Sequence, residues 1–578
     1  MSLLSQQKNM AHETNFVSLM VHRAAVSPNN IAFCFQGEQN GDETIFSYQE
    51  VDRRARAIAT MLQQQGLTNE RAVLLFQPGI DYILSILGCW YAGVTAVPVY
   101  APRLNSSFDR IRIIIKDAQA AALLSTSAVL ASLISDELNT LNIHGTQMLA
   151  TDNLAENIEA HWEIPTINGD TLAVLQYTSG STGNPKGVRI FQKHLIANSR
   201  MISRAMGSSE ESVGVVWIPP YHDMGLVGGI LQPFYAGFPV HLMSPVTFLQ
   251  RPIRWLEAIT QHRGTISAAP NFAYDLCVRR AKPEQIEQLD LSSWRVAVNG
   301  AEPVRAETIQ RFYETFAPAG FKRNTLFPSY GMAETTLLIS APQVGHDVII
   351  LQAERDALKR GALVTAEGES IPLVSCGQVD DETKVAIVDP DNGTLRNANE
   401  IGEIWVSSPS VADGYWDKPE ATQEIFHARL PGDDTHWLRT GDLGVLNNNN
   451  LYVTGRIKDM ILIRGHNYYP HDIEATALAA HPVIRAQGAA AFAIDTADGE
   501  GLGLVVEMDR GWQPQHIQEA TTAVRNAISL DHQLQISELV FVRPNSIPKT
   551  SSGKVQRFLT RSRLIAKELN VCCMEEAA

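Results

Sequence analysis

The stretch Tyr177-Thr178-Ser179-Gly180-Ser181-Thr182-Gly183-Asn-Pro-Lys186-Gly combines glycines, hydroxyls and one lysine. Glycines let a backbone fold closely around phosphate oxygens, and hydroxyls and an ammonium add donors. The spacing is not that of a Walker A loop, because Gly187 rather than Ser or Thr follows the lysine. A Ser/Gly linker has a similar composition. This stretch, however, follows an apolar run and carries one defined lysine, which favours a phosphate site. A second lysine loop, Pro548-Lys-Thr-Ser-Ser-Gly-Lys554-Val-Gln-Arg, lies far along the chain. Between the two lie Asn299-Gly300-Ala301-Glu302, Ser329-Tyr330-Gly331-Met332-Ala333-Glu334-Thr, Leu438-Arg-Thr-Gly-Asp442-Leu and Gly455-Arg456-Ile-Lys-Asp459.

Two of these loops, and two more besides, stand where an α/β protein would put them. Short apolar runs end in polar loops: Leu172–Gln176 before the Ser/Gly stretch, Val213–Ile218 before Pro219-Pro-Tyr-His222-Asp223, Ile266–Ala269 before Pro270-Asn271-Phe272, and Val296–Val298 before Asn299. Helix-like segments such as Leu195–Met206 and Pro252–His262 alternate with them. That grammar predicts buried, largely parallel strands, with ligands outside their carboxyl ends. Beyond about Gly377 the texture becomes antiparallel, with runs Lys384–Val388, Gly402–Val406, Leu443–Leu446 and Leu451–Thr454. A compact α+β segment follows: helices near His471–Ala480 and Pro514–Ile528, strands near Ala489–Ile494, Leu504–Met508 and Leu539–Val542. The expected division is a large domain over 1–457 and a small one over 458–578. No charge falls between Tyr82 and Pro102, a length that could span a bilayer. Gly88, Gly93 and Pro98 interrupt it, and the reading is a buried helix over 81–92 and a buried strand Val94–Val99, with no transmembrane segment.

With 578 residues the chain exceeds a single core. A net charge of -15 argues against nucleic acid as a partner. The six cysteines form no C-x-x-C pair, which fits free thiols in the cytoplasm. The N-terminus lacks an apolar signal core. Cys572 and Cys573 are expected in a loose tail.

Taken in order, these motifs resemble those of the adenylate-forming superfamily: acyl-CoA synthetases, fatty acyl-AMP ligases, peptide-synthetase adenylation domains and luciferases. The resemblance covers nearly the whole chain. It implies a large domain of two α/β subdomains plus a β-barrel-like part, and a smaller, mobile α+β domain. It also implies attack of a carboxylate on the α-phosphorus of ATP, with pyrophosphate leaving. Two anions must meet, so placed cations and donors are the main catalytic device. By this resemblance Thr178–Gly183 and Lys186 hold the β- and γ-phosphates, and Glu334 is the Mg²⁺ ligand. Tyr330 stacks on adenine, with Ser329, Gly331, Met332 and Ala333 around it and Asn299–Glu302 beside the base. Asp442 binds ribose, Arg456 reaches ribose or phosphate, Asp459 is the hinge, and Lys554 contacts the reacting carboxylate and α-phosphate.

Three features resemble the fatty acyl-AMP ligase branch. Pro219-Pro-Tyr-His222-Asp223-Met-Gly-Leu-Val-Gly-Gly229 looks like its acyl-pocket motif, its glycines leaving room beside an apolar wall; a glycine-rich helix start packed in the core is the plainer reading. Ala269-Pro-Asn271-Phe272 resembles the same branch and offers no acid to anchor an ammonium. Residues 344–372 look like that branch's insertion, and apolar Val348–Leu351, Leu358, Leu363 and Val364 predict that it packs. The implied function is fatty acid–AMP ligation, with the acyl group passing to the phosphopantetheine of an acyl carrier protein or a synthase carrier domain. A long- or medium-chain acyl-CoA synthetase shares every core motif. A silent adenylate-binding scaffold would be expected to lack Lys554, Glu334 or Lys186.

Overall fold

The computed structural model describes residues 14–37, 43–100, 108–132, 145–178, 185–368, 370–463, 466–496, 499–550 and 553–575. Two largely parallel sheets form its larger part. One runs, edge to edge, Leu326–Pro328, Val296–Gly300, Ile266–Pro270, Gly214–Val216, Val240–Leu242, Ile31–Gln36 and Glu43–Ser47. The other runs Gln147–Ala150, Ala122–Ser125, Arg71–Phe76, Thr95–Tyr100, Leu172–Thr178 and Lys186–Phe191. In each sheet one edge strand is antiparallel, Glu43–Ser47 in the first and Lys186–Phe191 in the second. Central strands such as Arg71–Phe76 are buried on both faces, as parallel strands covered by helices must be.

The uncharged stretch is a helix, Ile80–Tyr91, whose residues from Tyr82 on are buried, followed by the strand Thr95–Tyr100. Among the described residues no helix is long and apolar enough to cross a membrane.

A β-rich part follows. The antiparallel sheet Lys384–Val388, Gly402–Ser407, Leu438–Asn447, Asn450–Arg456 includes all four expected runs. Leu438–Asn447 starts five residues before the expected Leu443, so the Arg-Thr-Gly-Asp motif is strand rather than turn. The remainder is α+β. A sheet of Ile484–Thr496, Gly499–Met508, Ile536–Val542 and Val571–Glu575 carries the helices Pro470–Ala480 and Pro514–His532 on one apolar cluster and Arg557–Ile565 on another. The expectation of a loose tail at Cys572 is therefore wrong: Val571–Glu575 pairs antiparallel with Ile536–Val542, and Cys572 packs against the Leu539 and Phe541 cluster.

Residues 344–372 pack only in part as expected. Ile350–Glu354 pairs with Ser370–Val374, and Leu358 and Leu363 are buried against Leu443, Tyr452 and Tyr469. Ile349 and Val364, by contrast, are exposed. Composition alone does not tell which face of a short hairpin meets the core.

Candidate active site

One cavity of about 1900 Å³ opens where the two parallel sheets, the β-rich part and the C-terminal α+β part converge. Its wall includes Thr178, Lys186, His222, Asp223, Gly229, Asn271, Phe272, Gly300, Ala301, Glu302, the run Ser329–Glu334, Asp442, Arg456, Asp459 and Lys554. Residues widely separated in sequence thus face one space. Ser179, Gly180, Ser181, Thr182 and Gly183 lie outside the described residues.

Thr178 pairs with Lys186 at the open end of the hairpin Leu172–Thr178/Lys186–Phe191. The Ser/Gly stretch therefore joins two neighbouring strands. The Lys186 ammonium lies over the Tyr415 ring, 4.9 Å from its centroid, a cation–π contact. Tyr415 also donates its hydroxyl to Oε1 of Glu334 at 3.0 Å. The sequence reading missed Tyr415. The backbone explains its position: Val188 bridges to Tyr415, Trp416 N–H donates to Gly187 O, and Arg189 N–H donates to Gly414 O. The segment is thus an extra rung on the lysine strand. The only hint in the sequence is Gly414, whose φ of +100° and close neighbour Thr422 suit glycine alone.

Glu334 is 8% exposed, and burial raises its carboxyl above the ordinary range. Tyr330 donates its hydroxyl to Oδ2 of Asp442 at 2.7 Å, while Nε of Arg456 lies 2.9 Å from Oδ1. Arg456 keeps 62% of its side-chain surface open to the cavity, and Asp442 raises its pKa further. Gly331 lets its backbone press against the Leu337 carbonyl, where a Cβ would collide. Ala301 holds a φ of +65°, a strained conformation for a residue with a Cβ, directly in the cavity wall.

Two expected residues behave differently. Asn299, 1% exposed, is not part of the cavity wall: it lies within the strand Val296–Gly300 and donates its amide to Oδ1 of Asn271 at 3.3 Å. Asn271 lines the cavity but commits its polar atoms to the surrounding loops: Nδ2 donates to Thr308 Oγ1 (3.2 Å), and Oδ1 accepts Arg305 N–H (3.1 Å). It fastens loops together. Phe272 N–H donates to Oε1 of Glu302 at 2.5 Å, and burial raises the Glu302 carboxyl.

Met224–Leu231 is a π-helix, capped by Asp223, whose Oδ1 accepts Met224 N–H at 2.8 Å. Such helices gather at functional sites. A Cβ on Gly229 would lie 2.8 Å from Val216 Cγ1, and one on Gly225 would overlap the Pro219 carbonyl. Gly225 therefore bears out the plain packing reading, while Gly229 packs closely and also lines the cavity. Burial pushes His222 down to about 4, so it is neutral at physiological pH.

Lys554 reaches the cavity from the C-terminal part. Its loop closes on itself through Thr550 N–H to Lys554 O (2.8 Å) and Lys554 N–H to Thr550 Oγ1 (3.0 Å). Gly553, at φ +88°, faces Phe272, whose ring would lie 3.5 Å from a Cβ at that position. Burial lowers the ammonium pKa and Arg456 lowers it further; Asp223, Glu302 and Asp442 act in the other direction. Asp459 binds Nη1 of Arg557 at 2.8 Å, and Arg557 grips Glu474 with Nε (2.7 Å) and Nη2 (2.8 Å).

A lysine hairpin, a tyrosine tied to a carboxylate, and a second lysine delivered from the C-terminal part thus share one cavity. Residues 20–416 match the AMP-binding enzyme family, and residues 458–573 match the AMP domain of Disco-interacting protein 2-like proteins. The chain belongs to the AMP-binding enzyme family, and its structural neighbours include fatty acyl-AMP ligases. Medium-chain-fatty-acid–[acyl-carrier-protein] ligase JamA of Moorena producens is 42% identical, over 96% of this chain and 96% of its own length. TtuA of Teredinibacter turnerae, with the same descriptive name, is 34% identical over 94% and 93%. The crystal structure of a fatty acid AMP ligase from Legionella pneumophila shares 36% identity with a TM-score of 0.77, covering 98% of this chain and 99% of that one. A structure from work on fatty acyl-adenylate ligases of E. coli and L. pneumophila shares 32% identity with a TM-score of 0.87, covering 97% and 99%.

Proposed function

We propose that this protein activates a fatty acid with ATP as an acyl-adenylate and passes the acyl group to the phosphopantetheine thiol of an acyl carrier protein. The observation that carries the reading is that Lys554 and Lys186, far apart in the sequence, line one cavity. A carboxylate oxygen attacks the α-phosphorus, the bond to the bridging oxygen breaks, and pyrophosphate leaves. Lys186 with Thr178 and the Ser179–Gly183 stretch would grip the outgoing phosphates. Lys554 would neutralise the charge that gathers between carboxylate and α-phosphate, in a site partly closed to water. Tyr330 would offer its ring to adenine. Asp442, already oriented by Tyr330 and Arg456, would accept the ribose hydroxyls. The relatives' printed names support a medium-chain acid and a carrier-protein acceptor.

Mg²⁺ fits Glu334. A carboxylate has about four lone-pair sites, and Tyr415 uses one of them here. Mg²⁺ commonly takes one or two carboxylates and completes its shell with substrate phosphates and water. It would supply charge neutralisation on the triphosphate.

We read residues 1–457 and 458–578 as two domains hinged at Asp459. The apolar clusters around Leu504 and Val540 draw only on residues beyond 460, which supports that division. The insertion at 344–372 would restrain the second domain. Arg355 donates to the Asp531 carbonyl, and the Lys359 ammonium sits 5.6 Å from the Tyr468 ring centroid. We read the protein as cytoplasmic, in keeping with the free, buried thiols of Cys34, Cys89, Cys277 and Cys376.

The test is a panel of straight-chain acids with ATP and Mg²⁺. It is scored for pyrophosphate, then for thioester with CoA and with a phosphopantetheinylated carrier protein. Acid-dependent pyrophosphate release and thioester on the carrier alone are expected. Thioester on CoA at a comparable rate would reassign the protein as an acyl-CoA synthetase, and no pyrophosphate with any acid would end the ligase reading.

A further inference from the structure

The cavity wall built by the helix Gln192–Met206, the strand Gly214–Val216 and the π-helix is apolar, with Ile202, Met206, Val216, Gly228 and Gly229 facing the space. One residue in this wall breaks the pattern. Gln232 follows the π-helix, lines the same cavity and is 1% exposed. Its Nε2 donates to Ser203 Oγ at 2.9 Å and to Ser208 Oγ at 3.1 Å, and those two oxygens lie 3.2 Å apart. Both amide hydrogens are thereby used. Oε1 is buried with no hydrogen-bond partner among the described residues. Turning the amide over would hand the carbonyl to the two serines and leave the amino group unmet instead. In either orientation one polar group of Gln232 lacks a partner in an otherwise apolar wall.

Buried polar groups are nearly always satisfied, and those left over call for an explanation. At this place a substrate atom would supply one. The π-helix of 8 residues separates Asp223 from Gln232, no more than about 14 Å at helical rise. Asp223 acts on the Lys554 ammonium, and all three residues line one cavity; an acid whose carboxylate sits at Lys554 and whose chain follows this helix would bring its far end to Gln232. A hydroxyl both donates and accepts, so it would pair with Gln232 in either amide orientation.

We propose that Gln232 is a specificity-determining residue that selects an acid bearing a hydroxyl at its distal carbon. The proposal rests on the fatty-acid ligase reading and names its substrate more closely. A plain alkyl end leaves the amide unmet, and sites built to hydrogen-bond a substrate group discriminate strongly against analogues without it.

The experiment compares kcat/KM for pyrophosphate release across a ladder of straight-chain acids and their ω-hydroxy counterparts, in the wild type and in Gln232→Leu. The expected result is a preference of roughly tenfold or more for the hydroxy acid at one chain length. Gln232→Leu should abolish that preference and improve turnover of the plain acid. Plain acids preferred at every length by the wild type would overturn the proposal. So would a hydroxy preference that survives in Gln232→Leu. The wild-type comparison needs no variant, and Gln232→Met offers a second apolar replacement of similar length should the leucine variant fold poorly. Turnover of plain acids without any hydroxy preference sinks only this inference, whereas no turnover of any acid sinks the ligase reading beneath it.

Discussion

At the scale of single residues the two charged groups with the most demanding surroundings are Lys554 and Glu334. Lys554 is an ammonium held in a half-buried position with Arg456 opposing it and three carboxylates favouring it. On the proposed reading its contribution belongs to the transition state, when charge builds between two anions. Lys554→Ala is expected to cut acid-dependent pyrophosphate release by roughly 100- to 1000-fold, the range seen when one positioned donor is removed. The melting temperature should be unchanged, and wild-type pyrophosphate release would defeat the role. Glu334 presents the opposite balance. Its folded pKa lies above the ordinary carboxylate value because burial disfavours the charge. As pH rises through the ordinary value, the unfolded chain loses its proton first, so this group favours unfolding increasingly until the folded pKa is passed. Glu334→Gln should therefore melt at a higher temperature than wild type at neutral pH, and the gap should close towards acid pH. Activity with ATP and Mg²⁺ should fall at the same time. Melting curves across pH check the sign; a variant less stable at neutral pH would contradict it.

At the scale of elements, residues 344–372, read above as an insertion restraining the second domain, carry the prediction that separates two chemistries. The hairpin Ile350–Glu354/Ser370–Val374 presses Leu358 and Leu363 onto Tyr452 and Tyr469, and Arg355 and Lys359 reach Asp531 and Tyr468. Replacing 356–367 with a short turn deletes both leucines and the lysine contact. Thioester formation on CoA should rise about tenfold from a low base, a release of about 1.4 kcal/mol of restraint, while pyrophosphate release changes little. The same element shows what the sequence could convey. Strands with clean apolar runs, such as Lys384–Val388, were legible to the residue. Leu438–Asn447 was truncated because Arg439, Thr440 and Gly441 extend no apolar run, whereas Arg439 is held in the strand by Glu403 at 2.9 Å. Val571–Glu575 was missed because a five-residue strand takes its identity from its partner. The motifs bearing Lys186, Glu334, Asp442 and Lys554 were legible because their glycine spacing is a local property. Tyr415 and Gln232 were not, since one acquires its place through a bridge to Val188 and the other through Ser203 on a neighbouring helix and Ser208 just beyond its end.

At the scale of the whole molecule, Lys554 must arrive in the cavity on a chain segment that is anchored elsewhere, and Arg557 is that anchor. It lies in the first turn of the helix Arg557–Ile565, three residues past the lysine, and joins Asp459 at the inferred hinge to Glu474 on the helix Pro470–Ala480. Glu474 is 5% exposed and also accepts the Ala491 N–H at 3.1 Å. Removing one partner from such an arrangement leaves a buried charge without compensation, which costs about 3 kcal/mol or more. Arg557→Ala should therefore lower the stability of the C-terminal part by that amount, seen as earlier proteolysis beyond Asp459 while the larger part stays resistant. Adenylation should fall with it, through a weaker kcat and a nearly unchanged KM for ATP, because the cavity's own nucleotide groups remain while the lysine loses its mooring. Arg557→Lys can restore a single ion pair but not the two-pronged grip on Glu474, so it should recover only part of both losses. A variant with normal kcat and normal resistance to protease would show that the lysine loop is positioned by the facing Phe272 alone.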